Sequence, residues 1–341
     1  MRALVFVFVA VLAFTASNTV IAETRALLIG VSGYPSLPEN RRLRGPANDV
    51  QLMREALLRA GVPASGVRVL ADGVHGSSDL PTHQAILAGM RTLADQAQPK
   101  DWVIVYFSGH GSQQPQLPEK HTYLEPDGLD EIFLPYDIGQ WDGSKMAVRG
   151  ALVDDEIAVA LQAITDKGAR IWAIFDTCHA GGMSKGRVVT AGNEGGPVTR
   201  FVSPSVLGVP QSALSHKRSG RSKRRGALQT PDLLESGSQV FFYAAQPDEP
   251  AAEEPLPDLL LPPHTIQKGA PIPNRYFGLF TYLIAQALPN WHGSFGVLAS
   301  HVGERYKVRP YPTPLFEGDL GHVPEFFVKS KPVAKNTSIK P

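Results

Sequence analysis

The sequence predicts an α/β fold built on a largely parallel sheet, and three observations carry that prediction. Compact apolar runs alternate with segments whose apolar residues recur at helical spacing, the pattern of strand–helix–strand units. Two of the most apolar runs, "WVIVYFS" and "ARIWAIFD", lead into Gly-bearing loops. The 341 residues, 43% hydrophobic and 19% charged, hold enough apolar material for a substantial core, in one large domain or two smaller ones.

Each element follows from its residues. "TRALLIGV" is a compact apolar run bounded by Gly33 and Pro35 and reads as a buried strand. "PANDVQLMREALLRAG" places Pro46 where a first helical turn tolerates it. Val50, Met53, Leu57 and Leu58 recur at helical spacing, and Gly61 ends the run. "GVRVLA" is the next strand, and "PTHQAILAGMRTLADQA" a second helix with Ile86, Met90 and Leu93 on one face. "DWVIVYFSGHG" is a strand, and "DEIFLPYD" a shorter one. "VDDEIAVALQAIT" is a helix with acids in its first turn, where the helix dipole favours them. "ARIWAIFDTCHAGG" is another apolar strand ending in a loop. From Met183 to Gly237 the pattern dissolves into Gly, Ser, Pro and Arg, including "HKRSGRSKRRG", and reads as an exposed linker. "SQVFFYAAQ" is a strand, "PDEPAAEEPLPDLLLPPH" a Pro-rich acidic loop, and "RYFGLFTYLIAQAL" a helix with Phe277, Phe280, Leu283 and Ile284 on one face. "SFGVLASHVGERYKV" is a further helix, followed by a loop and a last short strand before a disordered tail.

The N-terminus differs from the rest. One basic residue, Arg2, precedes an apolar run from Ala3 to Phe14, with small residues ahead of a break near Ala22. This is the form of a secretory signal peptide, and the run is short for a membrane span of roughly 20 residues. The expectation is therefore an exported protein, periplasmic or extracellular and of bacterial type, with no membrane contact after cleavage. A formal net charge of +1 gives no support to nucleic-acid binding. The single cysteine, Cys178, excludes an internal disulfide framework and a cysteine-based zinc site. In an exported chain it is a free, potentially reactive thiol.

A thiol becomes a strong nucleophile only as thiolate, and an imidazole close in space both favours that form and serves as acid to the leaving amine. His179 adjoins Cys178 in a chain leaving a strand, where consecutive side chains diverge, so it is a poor base. His110, in "YFSGHG", ends a separate strand 68 residues earlier. Ligands of such sheets bind at the carboxyl ends of the strands, which sets His110 and Cys178 on one rim. The backbone N–H groups of Gly111 and Cys178 then stand as oxyanion-hole donors.

"YFSGHGSQ" and "FDTCHAGG", with the preceding "LRGPANDV", resemble the metacaspase branch of the caspase-like cysteine peptidases (peptidase C14 type), over about Thr24 to Phe327 apart from the linker. The late segments "GLFTYLIAQAL" and "TPLFEGD" resemble the small-subunit part of that family; the Q-A-C-[RQG]-G signature of the animal caspases is absent. The resemblance implies a caspase-like αβα sandwich with a mostly parallel central sheet flanked by helices. With the signal peptide at 1–22, the linker at 184–237 and the tail at 329–341 read from composition, it implies a large-subunit part at 23–183 and a small-subunit part at 238–328.

The resemblance also implies a monomeric endopeptidase with His110 and Cys178 as dyad, acting on protein or peptide substrates with Arg or Lys before the cut bond (P1). Asp49, Ser108 and Asp176 match the positions of the pocket for that residue (S1). Two carboxylates suit a guanidinium, a planar fork of donors. The chemistry needs no cofactor. Calcium is left open as an activator: Asp137, Asp154 and Asp155 fall where the family places calcium acids, but Lys185 stands near the place of a further one. Pro46 stands where many relatives have a cysteine. Arg218, Arg221, Arg224 and Arg225 are candidate self-processing sites. A catalytically silent scaffold module, and a clan relative with a different P1 preference, are the alternatives.

Overall fold

The computed structural model describes residues 22–116, 128–178, 196–214, 239–247, 249–262, 270–308 and 312–328. Among these, no helix is long and apolar enough to cross a membrane. The first strand, β1 (Thr24–Gly30), leads into α1 (Pro46–Arg59), which starts on Pro46 and turns Val50, Met53 and Leu57 inward. Strand β2 (Val67–Ala71) is followed by α2 (His83–Gln96), whose Thr82 side chain accepts the Ala85 N–H at 3.2 Å as N-cap. Next come β3 (Trp102–Ser108), β4 (Gly111–Pro115) and β5 (Leu129–Phe133), then the short strands β6 (Trp141–Asp142), β7 (Ala147–Val148) and β8 (Leu152–Val153). Helix α3 (Asp154–Thr165) precedes β9 (Arg170–Asp176).

Strands β2, β1, β3, β9 and a later strand, β11 (Gln239–Tyr243), lie side by side and parallel; β14 (Leu315–Gly318) closes the edge antiparallel to β11. Right-handed crossovers explain the layers. The step from β1 to β2 runs one way across the sheet, and the steps from β2 to β3 and from β3 to β9 run the other way. Helix α1 therefore packs on one face, and α2 and α3 on the opposite face. Alternate residues of β1 divide accordingly: Ala26 and Leu28 join the α1 core, Leu27 and Ile29 the α2–α3 core.

The second half departs from the sequence expectations in three places. The Pro-rich acidic segment expected as a loop contains β12 (Ala252–Pro257), paired antiparallel with β13 (Asn274–Gly278). Phe277 belongs to β13 rather than to the helix that follows, because Gly278 has extended backbone and the helix α4 (Leu279–Ala287) starts after it. Phe280, Leu283 and Ile284 do face the α1 core, beside α5 (Phe295–Tyr306). Within the stretch expected as linker, residues 196–214 are built into the body. There β10 (Val198–Thr199) pairs with β12, and Arg200, Phe201, Val202, Leu207 and Val209 are buried. Apolar residues at 201, 202, 206, 207 and 209 marked this piece, but the surrounding Gly and Ser masked their pattern. After β14, a four-residue helix, α6 (Glu325–Val328), ends the described chain.

Candidate active site

Strands β3 and β9 pair in register with Ser108 opposite Asp176. His110 and Cys178 each come two residues later, so parallel pairing alone delivers both to one rim of the sheet. The loops leaving the strands run very close. A Cβ on Gly111 would collide with the Cys178 carbonyl oxygen, which makes glycine a steric requirement there.

His110 is held by neighbours that carry no sequence signature. Its backbone N–H donates to the Tyr34 hydroxyl at 2.8 Å, and that hydroxyl donates to the Val31 carbonyl at 3.1 Å. The Tyr34 and His110 rings lie 4.9 Å apart. Nε2 is 2.7 Å from the Arg41 carbonyl oxygen. A carbonyl only accepts, so in the neutral ring Nε2 carries the hydrogen and Nδ1 keeps the lone pair. Nδ1 is buried with no hydrogen-bond partner among the described residues. The ring is thus oriented by one nitrogen and free to take a proton at the other.

Cys178 is 4% exposed, with Sγ 3.4 Å from the Ala251 carbonyl oxygen. Burial pushes the thiol up to about 12, against smaller opposing effects from Thr199, Ala251 and Arg200. Burial likewise pushes His110 down to about 4, against the carbonyls of Arg41 and Arg200. Both groups are therefore neutral at pH 7 in this arrangement.

The three residues expected in the S1 pocket come together, and they surround Arg200, a residue sequence reasoning passed over. Asp49, on the first turn of α1, is fully buried; its Oδ2 accepts from the Ser108 hydroxyl at 2.9 Å and from Arg200 Nη2 at 2.5 Å. Its Oδ1 accepts the Gly278 N–H at 2.9 Å. Asp176 Oδ1 lies 2.9 Å from Arg200 Nη1. Its Oδ2 accepts the N–H and hydroxyl of Thr281, at 3.0 and 2.5 Å, and so caps the start of α4. Arg200 Nη1 also donates to the Ser108 hydroxyl at 3.0 Å and the Asp176 carbonyl at 2.8 Å.

A third acid, Glu253 on β12, lies 3.6 Å from Arg200 Nη2 and accepts the N–H groups of Arg44 and Gly45 at 2.8 and 2.9 Å. Three carboxylates thus face one guanidinium that is 0% exposed. Burial raises Asp49 to about 7 despite the guanidinium, and raises Glu253 as well. Burial works against the charge on Arg200, but Asp176, Asp49 and Glu253 together hold it well above its ordinary range. Nothing near Arg200 or Glu253 in sequence announces these partners, because each contact spans 24 residues or more.

The Gly111 N–H, expected as an oxyanion donor, donates to the Arg200 carbonyl at 2.9 Å. The acids considered for calcium are not gathered in this way. Asp137 Oδ1 accepts the His83 N–H at 2.8 Å, and Asp154 and Asp155 sit in the first turn of α3. Among the described residues, no three or more His, Cys, Asp or Glu side chains are grouped to hold a metal ion. His179, Lys185, Arg218, Arg221, Arg224 and Arg225 lie outside the described residues.

Residues 24–185 match the family model of the metacaspase, peptidase C14 domain. The chain is 32% identical over 160 residues to metacaspase-1 of Candida albicans, covering 47% of this chain and 33% of that protein. It is 37% identical over 158 residues to metacaspase-1B of Aspergillus clavatus, covering 46% and 35%. The aligned part therefore spans about a third of the length of these curated relatives. A longer match, to metacaspase-1 of Mycosarcoma maydis, is 27% identical over 241 residues and covers 66% of this chain and 56% of that one. In fold, the chain is similar to a crystal structure from Geobacter sulfurreducens, with a TM-score of 0.55 at 18% identity over 89% of this chain and 98% of that one. The region at 24–185, which carries both His110 and Cys178, is thus similar to the metacaspase, peptidase C14 domain.

Proposed function

We propose that the protein is a cysteine endopeptidase that cuts after Arg, and less well after Lys, with Cys178 as nucleophile and His110 as its base. The observation that carries the P1 preference is the guanidinium seated among Asp49, Asp176 and Ser108. Its two terminal nitrogens are met by acids on different strands and helices, an arrangement a fork fits better than a point charge. In the reaction His110 Nδ1 takes the thiol proton while Nε2–H stays on the Arg41 carbonyl. Sγ attacks the P1 carbonyl carbon, and the Gly111 N–H stabilises the oxyanion. The proton on Nδ1 then goes to the leaving amine. Water, activated by the same nitrogen, hydrolyses the thioester.

The wider reading is an exported, monomeric enzyme, on the strength of "MRALVFVFVAVLAF", with calcium as an optional activator and the basic segment at 218–225 open to self-processing. The test uses fluorogenic peptides ending in Arg, Lys or Asp, with calcium or a chelator, on the purified protein and on Arg200→Ala. The expected result is turnover in the order Arg, Lys, then none for Asp, and its loss in Cys178→Ala. No turnover by either protein in any condition would overturn the proposal. If a thiol-directed probe also failed to label Cys178 in Arg200→Ala, the silent binding module would be the better reading.

A further inference from the structure

We infer that residues 198–202 are the protein's own first substrate, bound with the Arg200–Phe201 peptide bond as the bond to be cut. The inference rests on the reading of Cys178 and His110 as a peptidase dyad. Four independent contacts place this bond. First, the side preceding it adds as an antiparallel strand to the edge of β12. Val198 pairs with Glu253, Thr199 with Ala252, and the Arg200 N–H donates to the Ala251 carbonyl at 2.9 Å. An extended peptide joining a sheet edge is a general mode of peptide recognition. Second, the Arg200 side chain fills the acidic pocket completely. Third, the Arg200 carbonyl oxygen accepts from the Gly111 N–H, where an oxyanion would form. Fourth, the residues after the bond are clamped too. The Val202 N–H donates to the Gly111 carbonyl at 3.0 Å, and the Ser112 hydroxyl to the Val202 carbonyl at 2.6 Å.

The dyad residues adjoin the same contacts: Cys178 Sγ lies 3.4 Å from the Ala251 carbonyl that accepts the Arg200 N–H, and His110 precedes Gly111, whose N–H donates to the Arg200 carbonyl. A structural arginine bridging three acids would need none of the backbone register. Here side chain, carbonyl and flanking amides all sit as a bound substrate's would. The basic run at 218–225 is a composition signal alone, whereas Arg200 occupies the pocket.

The step balances as ordinary hydrolysis. Cys178 Sγ bonds to the Arg200 carbonyl carbon as its proton passes to His110 Nδ1. The Arg200–Phe201 C–N bond breaks and the proton goes to the Phe201 nitrogen. Water then cleaves the thioester, leaving a new carboxylate on Arg200, a free amine on Phe201 and the thiol restored. Phe201, Val202, Leu207 and Val209 are core residues, so the new N-terminus stays anchored. After the cut, residues 198–200 are held in the cleft only by β10 and the contacts of Arg200, and their withdrawal would vacate S1. Until then the filled cleft competes with any peptide in solution.

The experiment is intact-mass analysis and N-terminal sequencing of the full chain incubated at neutral pH, beside Cys178→Ala and Arg200→Ala, with Arg-peptide turnover followed in parallel. The expected result is a fragment beginning at Phe201 from the parent and none from Cys178→Ala. Arg200→Ala should show no cut at 200–201 and should turn over Arg peptide from the first minute, at least 10-fold above the parent's initial rate. Phe201→Pro supplies a second variant that keeps the guanidinium in its pocket but blocks the bond, and it should remain uncut and slow. A parent that turns over Arg peptide with no Phe201 fragment, or that is cut only at 218–225, overturns this inference and leaves the peptidase reading standing. Absence of all turnover and all cutting in every protein overturns both.

Discussion

Removing the Arg200 guanidinium tests the pocket as an electrostatic object, separately from catalysis. The perturbation is Arg200→Met in a Cys178→Ala background, so that no self-cleavage intervenes. The guanidinium lies 2.5, 2.9 and 3.6 Å from oxygens of Asp49, Asp176 and Glu253. At an effective dielectric constant of about 20, each contact contributes about 5–7 kcal/mol of attraction. Desolvation of the guanidinium and the carboxylates, and repulsion among the acids, offset most of that sum. What remains on deleting one partner is the cost of stranding buried charge, about 3–5 kcal/mol.

Urea denaturation followed by fluorescence of the buried Trp172 should show a loss of that size at pH 7, or a fall in Tm of about 4–7 °C for a protein of this length. The acids left without a cation bind protons more readily folded than unfolded. Stability of the variant therefore falls as pH rises above the unfolded-state carboxylate range near 4 and recovers as pH drops toward it. The deficit should be smaller at pH 5 than at pH 7. A loss below about 1 kcal/mol, or one that does not change with pH, would refute the account of three acids gathered on one guanidinium.

Gly111→Ala should lower kcat/KM for an Arg peptide at least about 100-fold, the scale of losing an oxyanion donor, because the new methyl meets the Cys178 carbonyl and drives the two loops apart. Steady-state kinetics checks this, with circular dichroism to show that the fold persists. His110 sets a pH dependence of opposite sense to that of the carboxylates in the Arg200→Met variant. Its folded value of about 4 lies below the usual 6.5, so the unfolded chain takes up the proton first. Stability from this group is complete above pH 6.5 and is lost, up to about 3 kcal/mol, as pH falls to 4. Denaturation from pH 4 to 7 should show this slope as the difference between the parent and His110→Gln, because the raised carboxyls of Asp49 and Glu253 act in the opposite sense in both. Asp49→Asn should narrow the preference for Arg over citrulline, its neutral analogue, at P1 by at least about 30-fold. That is the effect of about 2 kcal/mol at a desolvated charge pair, measured as the ratio of the two kcat/KM values.

The sequence by itself determined the framework and pointed to His110 and Cys178. "WVIVYFS" and "ARIWAIFD" could bury their apolar residues only as strands, and two such strands in parallel register must deliver the residues that follow them to one rim. That argument picked His110 over the adjacent His179, while Ser108 and Asp176 came from the family resemblance and only the structure set them opposite each other. Strand β12 was not legible, because Pro and acids read as loop. Proline is tolerated there because β10 covers only Ala252 and Glu253, which leaves Pro255 paired on one side alone, with Tyr276 of β13.

Only the tertiary structure decided what fills the pocket. Arg200, Glu253, Tyr34 and the Arg41 carbonyl act through contacts between segments far apart in the chain, and two of those contacts are made by backbone atoms any residue could supply. Local sequence carries periodicity and turn chemistry. It does not record which distant guanidinium lies within 3 Å of two carboxylates, because that follows from how the sheet, α1 and β12 close around one another.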